Sequence, residues 1–235
     1  MKNVVEFSGL YVAPKAAIYL TATLKKDIPS PVQEIPITSR NLINWVRTGL
    51  MTPKLRSVPG KELVISFEDL VSMRVIAALR SFGLSWAKIH RAEQYLRDKT
   101  GYLRPFAIKQ VWTDTASIFT ELEKHALLTV SRHGQLAIPD LLGEYLQPVG
   151  DMTFKSLDDI LVASTWTPHP DVRLDPLIQF GEPCVSGTRT RTRILAQMIN
   201  GGDSADYLKR AFDLSADELN HALEWEHRLK NVMAS

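Results

Sequence analysis

Thr38-Ser-Arg-Asn-Leu-Ile-Asn-Trp-Val-Arg-Thr-Gly49 is the stretch from which the fold is read most directly. Thr38 or Ser39 is a residue type that caps the start of a helix, and the closing glycine is one that ends a helix. Between them, one buried helix face is predicted from the i, i+3, i+4 spacing of Leu42, Trp45 and Val46. The stretch therefore predicts a short amphipathic helix from residue 39 to residue 48.

The polar side of this predicted helix carries groups suited to reading bases in DNA. It presents Arg40, Asn41, Asn44 and Arg47, and Arg pairs with guanine whereas Asn pairs with adenine. Further on, Pro59-Gly60 predicts the turn of a hairpin running from Lys54 to Ser66. If this hairpin acts as a wing, three of its cations would meet phosphates: Lys54, Arg56 and Lys61. An ordinary solvated helix face remains an equally good interpretation of the polar side.

Two longer helices are predicted after the hairpin. Ser66–Asp69 resembles a capping box, with Asp in place of the usual Glu or Gln, and starts a helix that ends near Gly83. Ser85 is expected to cap the next helix, which runs to about Lys99. Its predicted inward side consists of Trp86, Ile89, Ala92 and Leu96.

The order of these features resembles the DNA-binding domain of MerR-family regulators over roughly residues 10–95. The matching positions are Thr38–Leu42, Trp45, Gly49-Leu50, Pro53, Phe67–Leu70, Ile76, Leu79-Arg80, Gly83–Ser85 and Ile89. The resemblance implies a winged helix-turn-helix in which the helix at 39–48 enters the major groove. We expect a homodimer on a two-part operator, because a single winged module buries too little surface for tight specific binding.

The remainder of the chain divides into a middle and a final block. Residues 101–165 are predicted to be a β-rich extension and linker, and Thr165–Pro170, with its two prolines, is predicted to be a loop. Adjacent Asp158 and Asp159 are interpreted as charges at a helix start. Three short helices are predicted in the final block, over Thr192–Asn200, Ser204–Phe212 and Ala216–Lys230, the last with a capping box at Ser215–Glu218.

The final block resembles the small family called domain of unknown function 433, over about residues 171–230. The matching positions are Asp175-Pro176, Gly181, Pro183, Val185, Gly187–Arg189, Leu195, Gly202, Leu214-Ser215, Ala222 and Glu226. That family is associated with antitoxins encoded beside PIN-like ribonuclease toxins, and the whole chain resembles VapB-type antitoxins. The resemblance implies a toxin-binding surface at Gly187, Thr188, Arg189, Arg191 and Arg193, whose guanidinium groups would meet the carboxylates of the nuclease. Local turn capping or DNA contact is the alternative role for these residues.

Charge is unevenly distributed along the 235 residues. Residues 1–150 hold 19 Lys and Arg against 13 Asp and Glu, a net charge of +6, whereas residues 151–235 hold 9 against 13, a net charge of −4. A basic front half suits DNA, and an acidic rear half suits another partner. Because no apolar run approaches about 18 residues and the start does not look like a signal peptide, the expected location is the cytoplasm.

These observations predict a mainly α fold with small β elements. A winged helix-turn-helix domain (1–100) would be followed by the extension (101–165) and a small three-helix domain (166–235). The predicted function is that of an antitoxin, with a stand-alone transcription regulator as the alternative. A hydrolase using Asp158, Asp159 and a histidine is a weaker alternative, because the six histidines lack metal-ligand spacing and Cys184 is the only cysteine. No catalytic residue, metal or cofactor is predicted.

Overall fold

The computed structural model describes residues 9–23, 37–48, 62–81, 84–113 and 152–234. Its helices and strands, in chain order, are β1 (Tyr11–Val12), α1 (Ala13–Ala22), α2 (Ser39–Arg47), β2 (Val64–Ile65), α3 (Phe67–Ser81), α4 (Trp86–Thr100), α5 (Lys109–Thr113), β3 (Met152–Leu157), β4 (Ile160–His169), β5 (Val172–Leu174), β6 (Cys184–Val185), α6 (Thr192–Asn200), α7 (Ala205–Phe212) and α8 (Ala216–Ala234). Short 3₁₀ turns lie at Pro105–Ala107 and Gln179–Gly181. The mainly helical fold with small β elements is confirmed.

The first two helices begin where the sequence predicts them. The sequence predicts a short helix over Pro14–Leu20, and α1 covers it, with Pro14 in its first turn, where the missing proline N–H is not needed. α2 has Thr38 as its N-cap, and the Thr38 hydroxyl accepts a hydrogen bond from the Asn41 N–H at 3.2 Å. Burial of Leu42 and Trp45 on one side of α2 confirms the predicted amphipathic helix.

A capping box starts α3, and Asp69 in this box also binds a buried arginine. Ser66 Oγ accepts a hydrogen bond from the Asp69 N–H, and Asp69 Oδ2 accepts one from the Ser66 N–H, both at 3.1 Å. The other carboxylate oxygen, Oδ1, accepts a hydrogen bond from Arg104 Nε at 2.5 Å, and both side chains are buried. The single carboxylate of Asp69 therefore caps the helix and holds a buried cation.

The predicted wing is described only in part. Its turn lies outside the described residues, but the returning strand is present as β2. β2 pairs antiparallel with β1, Tyr11 lying opposite Ile65. On α4 the predicted inward positions of Ile89, Ala92 and Leu96 are confirmed. The inward prediction for Trp86 is wrong, because this residue is 40% exposed.

An antiparallel sheet of order β3-β4-β5-β6 opens the C-terminal part. The interpretation of Asp158 and Asp159 as charges at a helix start is wrong. Both residues have positive φ, 45° and 66°, in the two-residue turn that joins β3 to β4. Positive φ at both central positions is typical of tight hairpin turns, and Asp tolerates it better than most residues.

The predicted loop at Thr165–Pro170 is also wrong over most of its length, since β4 continues to His169. Pairing with β5 joins Trp166 to Leu174 and His169 to Val172, with a register shift between the two pairs. Pro168 lies in that shift. Because proline has no N–H to give to the ladder, an irregular position is where a strand accommodates it.

The three C-terminal helices agree closely with their predictions. The Ser215–Glu218 capping box is complete, with Glu218 Oε2 accepting from the Ser215 N–H at 2.7 Å and Ser215 Oγ accepting from the Glu218 N–H at 3.1 Å. A separate small core holds α6, α7 and α8 together through Val185, Leu195, Leu208, Leu214, Leu219 and Ala222. This packing confirms the predicted three-helix unit.

A larger core joins the two ends of the chain. Tyr19 and Leu20 of α1 belong to the same buried cluster as Trp225 and Leu229 of α8. The rings of Tyr19 and Trp225 lie 6.3 Å apart between centroids. Trp166 of β4 joins this cluster, and the predicted domain boundary at 165/166 falls within its strand. The division into three domains stays a prediction.

Candidate nucleic-acid and partner-binding sites

One side of α2 is covered by the core and the other faces outward. Leu42 and Trp45 are almost completely buried, whereas Arg40, Asn44 and Arg47 are exposed. The structure therefore brings three of the four predicted base-reading residues of α2 to one open surface. Asn41 is half-buried, and its N–H is used by the Thr38 cap.

A stack of side chains fixes α2 against the next two helices. The ring centroids of Trp45 and Trp86 lie 5.5 Å apart, and the Arg80 guanidinium lies 4.3 Å from the centroid of the Trp86 ring. Arg80 also donates a hydrogen bond to the carbonyl of Leu84. A cation over a tryptophan face is favourable, so the exposed Trp86 has a structural reason. Helical periodicity alone places Trp86 inward and gives no sign of this stack.

α1 supports the start of α2 from the other side. The Thr21 hydroxyl donates a hydrogen bond to the carbonyl of Ile37 at 3.2 Å, next to the Thr38 cap. The three predicted phosphate contacts of the wing, at Lys54, Arg56 and Lys61, lie outside the described residues and stay predictions.

The loop between β6 and α6 has a defined turn at its tip. Gly187 has φ +77°, a conformation that glycine adopts without strain. The Thr188 hydroxyl donates to the Val185 carbonyl at 2.9 Å and accepts from the Thr190 N–H at 3.0 Å. The run Gly187-Thr188 thus shapes the turn, and Arg189 follows it as an exposed side chain.

The three arginines predicted as toxin contacts, two in this loop and Arg193 at the start of α6, have different surroundings. Arg191 is half-buried and donates from Nε to Gln179 Oε1 at 3.0 Å, with a second hydrogen bond from Nη2. Gln179 Nε2 in turn donates to the Arg189 carbonyl at 3.3 Å. Arg189 and Arg193 are exposed. The structure therefore places two predicted toxin contacts at the surface and uses the third to join two loops.

Polar groups are buried or partly buried where α1, α6 and α8 meet. The Thr192 hydroxyl donates to Glu226 Oε1 at 2.5 Å. Burial raises the pKa of Glu226, opposed by this hydrogen bond and by the nearby Arg193. Lys15 of α1 forms an ion pair with Glu182, and burial raises the pKa of Tyr19 beside them. The Lys15–Glu182 ion pair ties the N-terminal helix to the segment that precedes β6.

The remaining chemistry-bearing groups of the described residues include one buried thiol and no metal-binding cluster. Burial raises the pKa of the Cys184 thiol to about 11, so this thiol stays protonated at neutral pH. Within the described ranges, no cluster of three or more His, Cys, Asp or Glu side chains has metal-binding geometry.

No helix in the described residues is long and apolar enough to cross a membrane.

Comparison with protein families identifies the C-terminal part. Residues 172–225, which run from β5 into α8, match the family described as protein of unknown function (DUF433). The chain therefore carries a DUF433 domain at its C terminus, as the Gly187-Thr188-Arg189 resemblance predicts. The match covers the three arginines predicted as toxin contacts.

Similar proteins connect the chain with transcription regulators. Uncharacterized HTH-type transcriptional regulators of Mycobacterium bovis and Mycobacterium tuberculosis are each 34% identical to it over 73 residues, 30% of this chain. The match spans about a third of the length of these relatives, 32% in each case. A crystal structure of Rv2018 from Mycobacterium tuberculosis has a TM-score of 0.66 and 21% identity, with 92% of this chain and 97% of that chain covered. This likeness shows a shared fold.

Proposed function

We propose that the chain is a DNA-binding regulator and the antitoxin of a type II toxin–antitoxin system. In this proposal a MerR-like unit built around α2 binds the operator of its own operon as a homodimer. The DUF433 region binds and neutralises a PIN-like ribonuclease encoded nearby. The protein acts by binding and needs no cofactor.

The outward face of α2 carries the DNA-binding part of the proposal. Arg40, Asn44 and Arg47 are exposed on a helix whose opposite side is locked by Trp45 and the Trp86 stack. A helix held rigidly from behind can present Arg and Asn to base edges in the major groove. The similarity to proteins named HTH-type transcriptional regulators supports the same interpretation.

The decisive DNA experiment is binding of the full-length protein to the promoter of its own operon. Arg40→Ala and Arg47→Ala should each weaken binding by about 1–3 kcal/mol if they read bases. Arg193→Ala, an exposed arginine on α6, is the matched control and should leave DNA binding unchanged. Operator binding as tight as that of wild type in both Arg40→Ala and Arg47→Ala would disprove the assignment of α2.

The antitoxin part of the proposal is supported by the resemblance of the C-terminal region and by its charges. Arg189 and Arg193 are exposed cations in a part of the chain whose net charge is −4. A PIN-like nuclease holds its metal with clustered carboxylates. Guanidinium groups form strong charge-assisted hydrogen bonds with carboxylates, so exposed arginines suit such a partner.

Co-expression with the neighbouring nuclease tests this part. The full-length protein should co-purify with the nuclease and restore growth, and Arg189→Ala should weaken that rescue by removing a charge-assisted contact worth about 1.5–3 kcal/mol. DNA binding by this variant should be unchanged. If the protein binds its operator but no neighbouring gene product, it is a stand-alone regulator and the antitoxin assignment is wrong.

A further inference from the structure

A guanidinium and two indole rings from three different helices form a continuous stack beside α2. Arg80 lies in the last turn of α3, Trp86 begins α4 and Trp45 belongs to α2. The guanidinium lies 4.3 Å from the centroid of the Trp86 ring, and this centroid lies 5.5 Å from that of Trp45. The stack therefore connects α2 with the two helices that follow it.

α2 is a short helix with few anchors of its own. It has nine residues, and its buried side chains are Leu42 and Trp45. Its N-terminal end is supported by α1, through the hydrogen bond from the Thr21 hydroxyl to the Ile37 carbonyl. Towards its C-terminal end the buried side chain is Trp45, whose ring meets that of Trp86. The angle of α2 therefore depends on where the Trp86 ring is held.

Arg80 holds the Trp86 ring by two kinds of contact. Its guanidinium lies over the ring, and Nη1 donates a hydrogen bond to the carbonyl of Leu84, just before α4 begins. The Leu84 N–H donates to the Leu79 carbonyl at 3.2 Å, which closes the same connection between α3 and α4. Because Trp86 is 40% exposed, burial alone fixes its ring only in part. A tryptophan face is the best aromatic partner for a cation, and the planar guanidinium can stack on it.

The base-reading side chains of α2 are sensitive to its angle. Arg40 and Arg47 are seven residues apart, which is about 10 Å along a helix. A tilt of about 10° would move one relative to the other by about 2 Å. Hydrogen-bond lengths vary by only about 0.5 Å, so bidentate contacts to base edges would be lost. Contacts between flexible cations and phosphates need no such precision, because they act mainly through charge.

We propose that Arg80 is a positioning residue for DNA recognition, which acts through Trp86 and Trp45 without touching the DNA. It holds α2 at the angle at which Arg40 and Arg47 reach base edges. This inference rests on the proposed function and names the residue that sets its sequence specificity. Arg80 thus controls the preference for the operator and leaves the affinity for DNA in general unchanged.

The test compares the affinity of the full-length protein for two labelled duplexes by fluorescence anisotropy. One is the promoter of its own operon, and the other has the same length and base composition in shuffled order. Arg80→Gln should weaken promoter binding about 10-fold, the loss of one base contact, and leave binding to the shuffled duplex unchanged. Arg97→Gln is the matched control, because it removes the same charge from a half-buried arginine paired with Glu93 at 2.9 Å. It should retain the wild-type preference.

Salt dependence and a double variant distinguish positioning from direct contact. If Arg80 touched a phosphate, Arg80→Gln would weaken binding to both duplexes and reduce the slope of affinity against salt by about 1. We expect the slope to be unchanged. Trp86→Leu should cause the same loss of preference as Arg80→Gln, and the double variant should lose no more, because the two side chains act as one unit. Additive losses would overturn the positioning role.

The remaining outcomes separate this inference from the proposed function. Wild-type preference in Arg80→Gln, or equal losses on both duplexes, would overturn the positioning role and leave the DNA-binding assignment intact. If circular dichroism shows Arg80→Gln to be unfolded, Arg80→Lys decides, because it keeps the charge but lacks the planar group. Arg80→Lys should lose the preference several-fold, and wild-type preference in this variant would overturn the role. Absence of any preference in the wild-type protein would remove the α2 assignment and this inference together.

Discussion

Replacement of Asp69 by Asn is expected to destabilise the protein far more than so small a change in the side chain suggests. The side chains of Asp69 and Arg104 are 0% and 1% exposed, and they are joined at 2.5 Å. Asn retains the shape of the side chain and one acceptor oxygen, but it removes the negative charge. The change breaks the buried Asp69–Arg104 ion pair from one side, which typically costs about 3–5 kcal/mol.

A neighbouring carboxylate sets the expected value within this range. Burial raises the pKa of Glu93, opposed mainly by its ion pair with Arg97 and to a smaller extent by the positive charge of Arg104. Glu93 therefore offsets part of the lost attraction, and we expect about 3 kcal/mol, the lower end. Domains are typically stable by only about 5–15 kcal/mol, so the variant should fold but lose a large share of its stability.

Urea unfolding at 25 °C, followed by circular dichroism, measures the free energy of unfolding. Asp206→Asn is the control, because it makes the same change in a 73% exposed carboxylate paired with Lys209 at 2.8 Å. Its effect should be far smaller. The double variant Asp69→Asn/Arg104→Met should recover much of the loss, since it removes both buried charges. If Asp69→Asn and Asp206→Asn have equal effects, or if the double variant is less stable than Asp69→Asn, the reasoning is refuted.

Two further predictions concern pH and backbone conformation. Burial lowers the pKa of His169, so as the pH falls the unfolded chain binds a proton at this residue before the folded protein does. The free energy of unfolding should therefore decrease as the pH drops below the usual histidine pKa of about 6.5. In urea unfolding at several pH values, His169→Gln should flatten this dependence, whereas His227→Gln, at an exposed position, should not. Gly181→Ala should unfold at a much lower temperature than wild type, because Gly181 has a left-handed φ and the added Cβ would collide with the Tyr11 hydroxyl. Gly187→Ala also has a left-handed φ, but its Cβ would lie in open space, so it should cost only about 1–2 kcal/mol. Equal melting temperatures for the two variants would contradict this prediction.

Local signals in the sequence predicted the helices other than α5, which lies in the stretch predicted to be β-rich. The cap at Thr38 and the box at Ser215–Glu218 form the hydrogen bonds expected of them. Such signals act within a few residues and therefore appear in the sequence directly. The wrong predictions arose where distant pairing decides the structure. Pro168 indicates a loop by itself, but the sheet accommodates it at a register shift.

The candidate sites were predictable to different extents. The outward position of Arg40 and Arg47 followed from helical periodicity, because the buried side of α2 was evident. The involvement of Arg191 with Gln179 did not follow, since it depends on two loops meeting in space. Phe180 is exposed on a backbone with left-handed φ, a conformation that the pattern of residue types does not predict.

The position of α1 between α2 and α8 limits which segments of this protein can be exchanged with those of a relative. One side of α1 contacts α2, through Thr21 and Ile37, and another packs on α8, where Arg228 donates to the Ala22 carbonyl at 3.4 Å. A chimera cut between the middle and final blocks would leave a foreign α1 against α8. The recipient helix would need its own equivalent of Tyr19 to cover Trp225. The transferable segment is therefore discontinuous, and a graft of residues 152–234 should include residues 9–23 from the same parent.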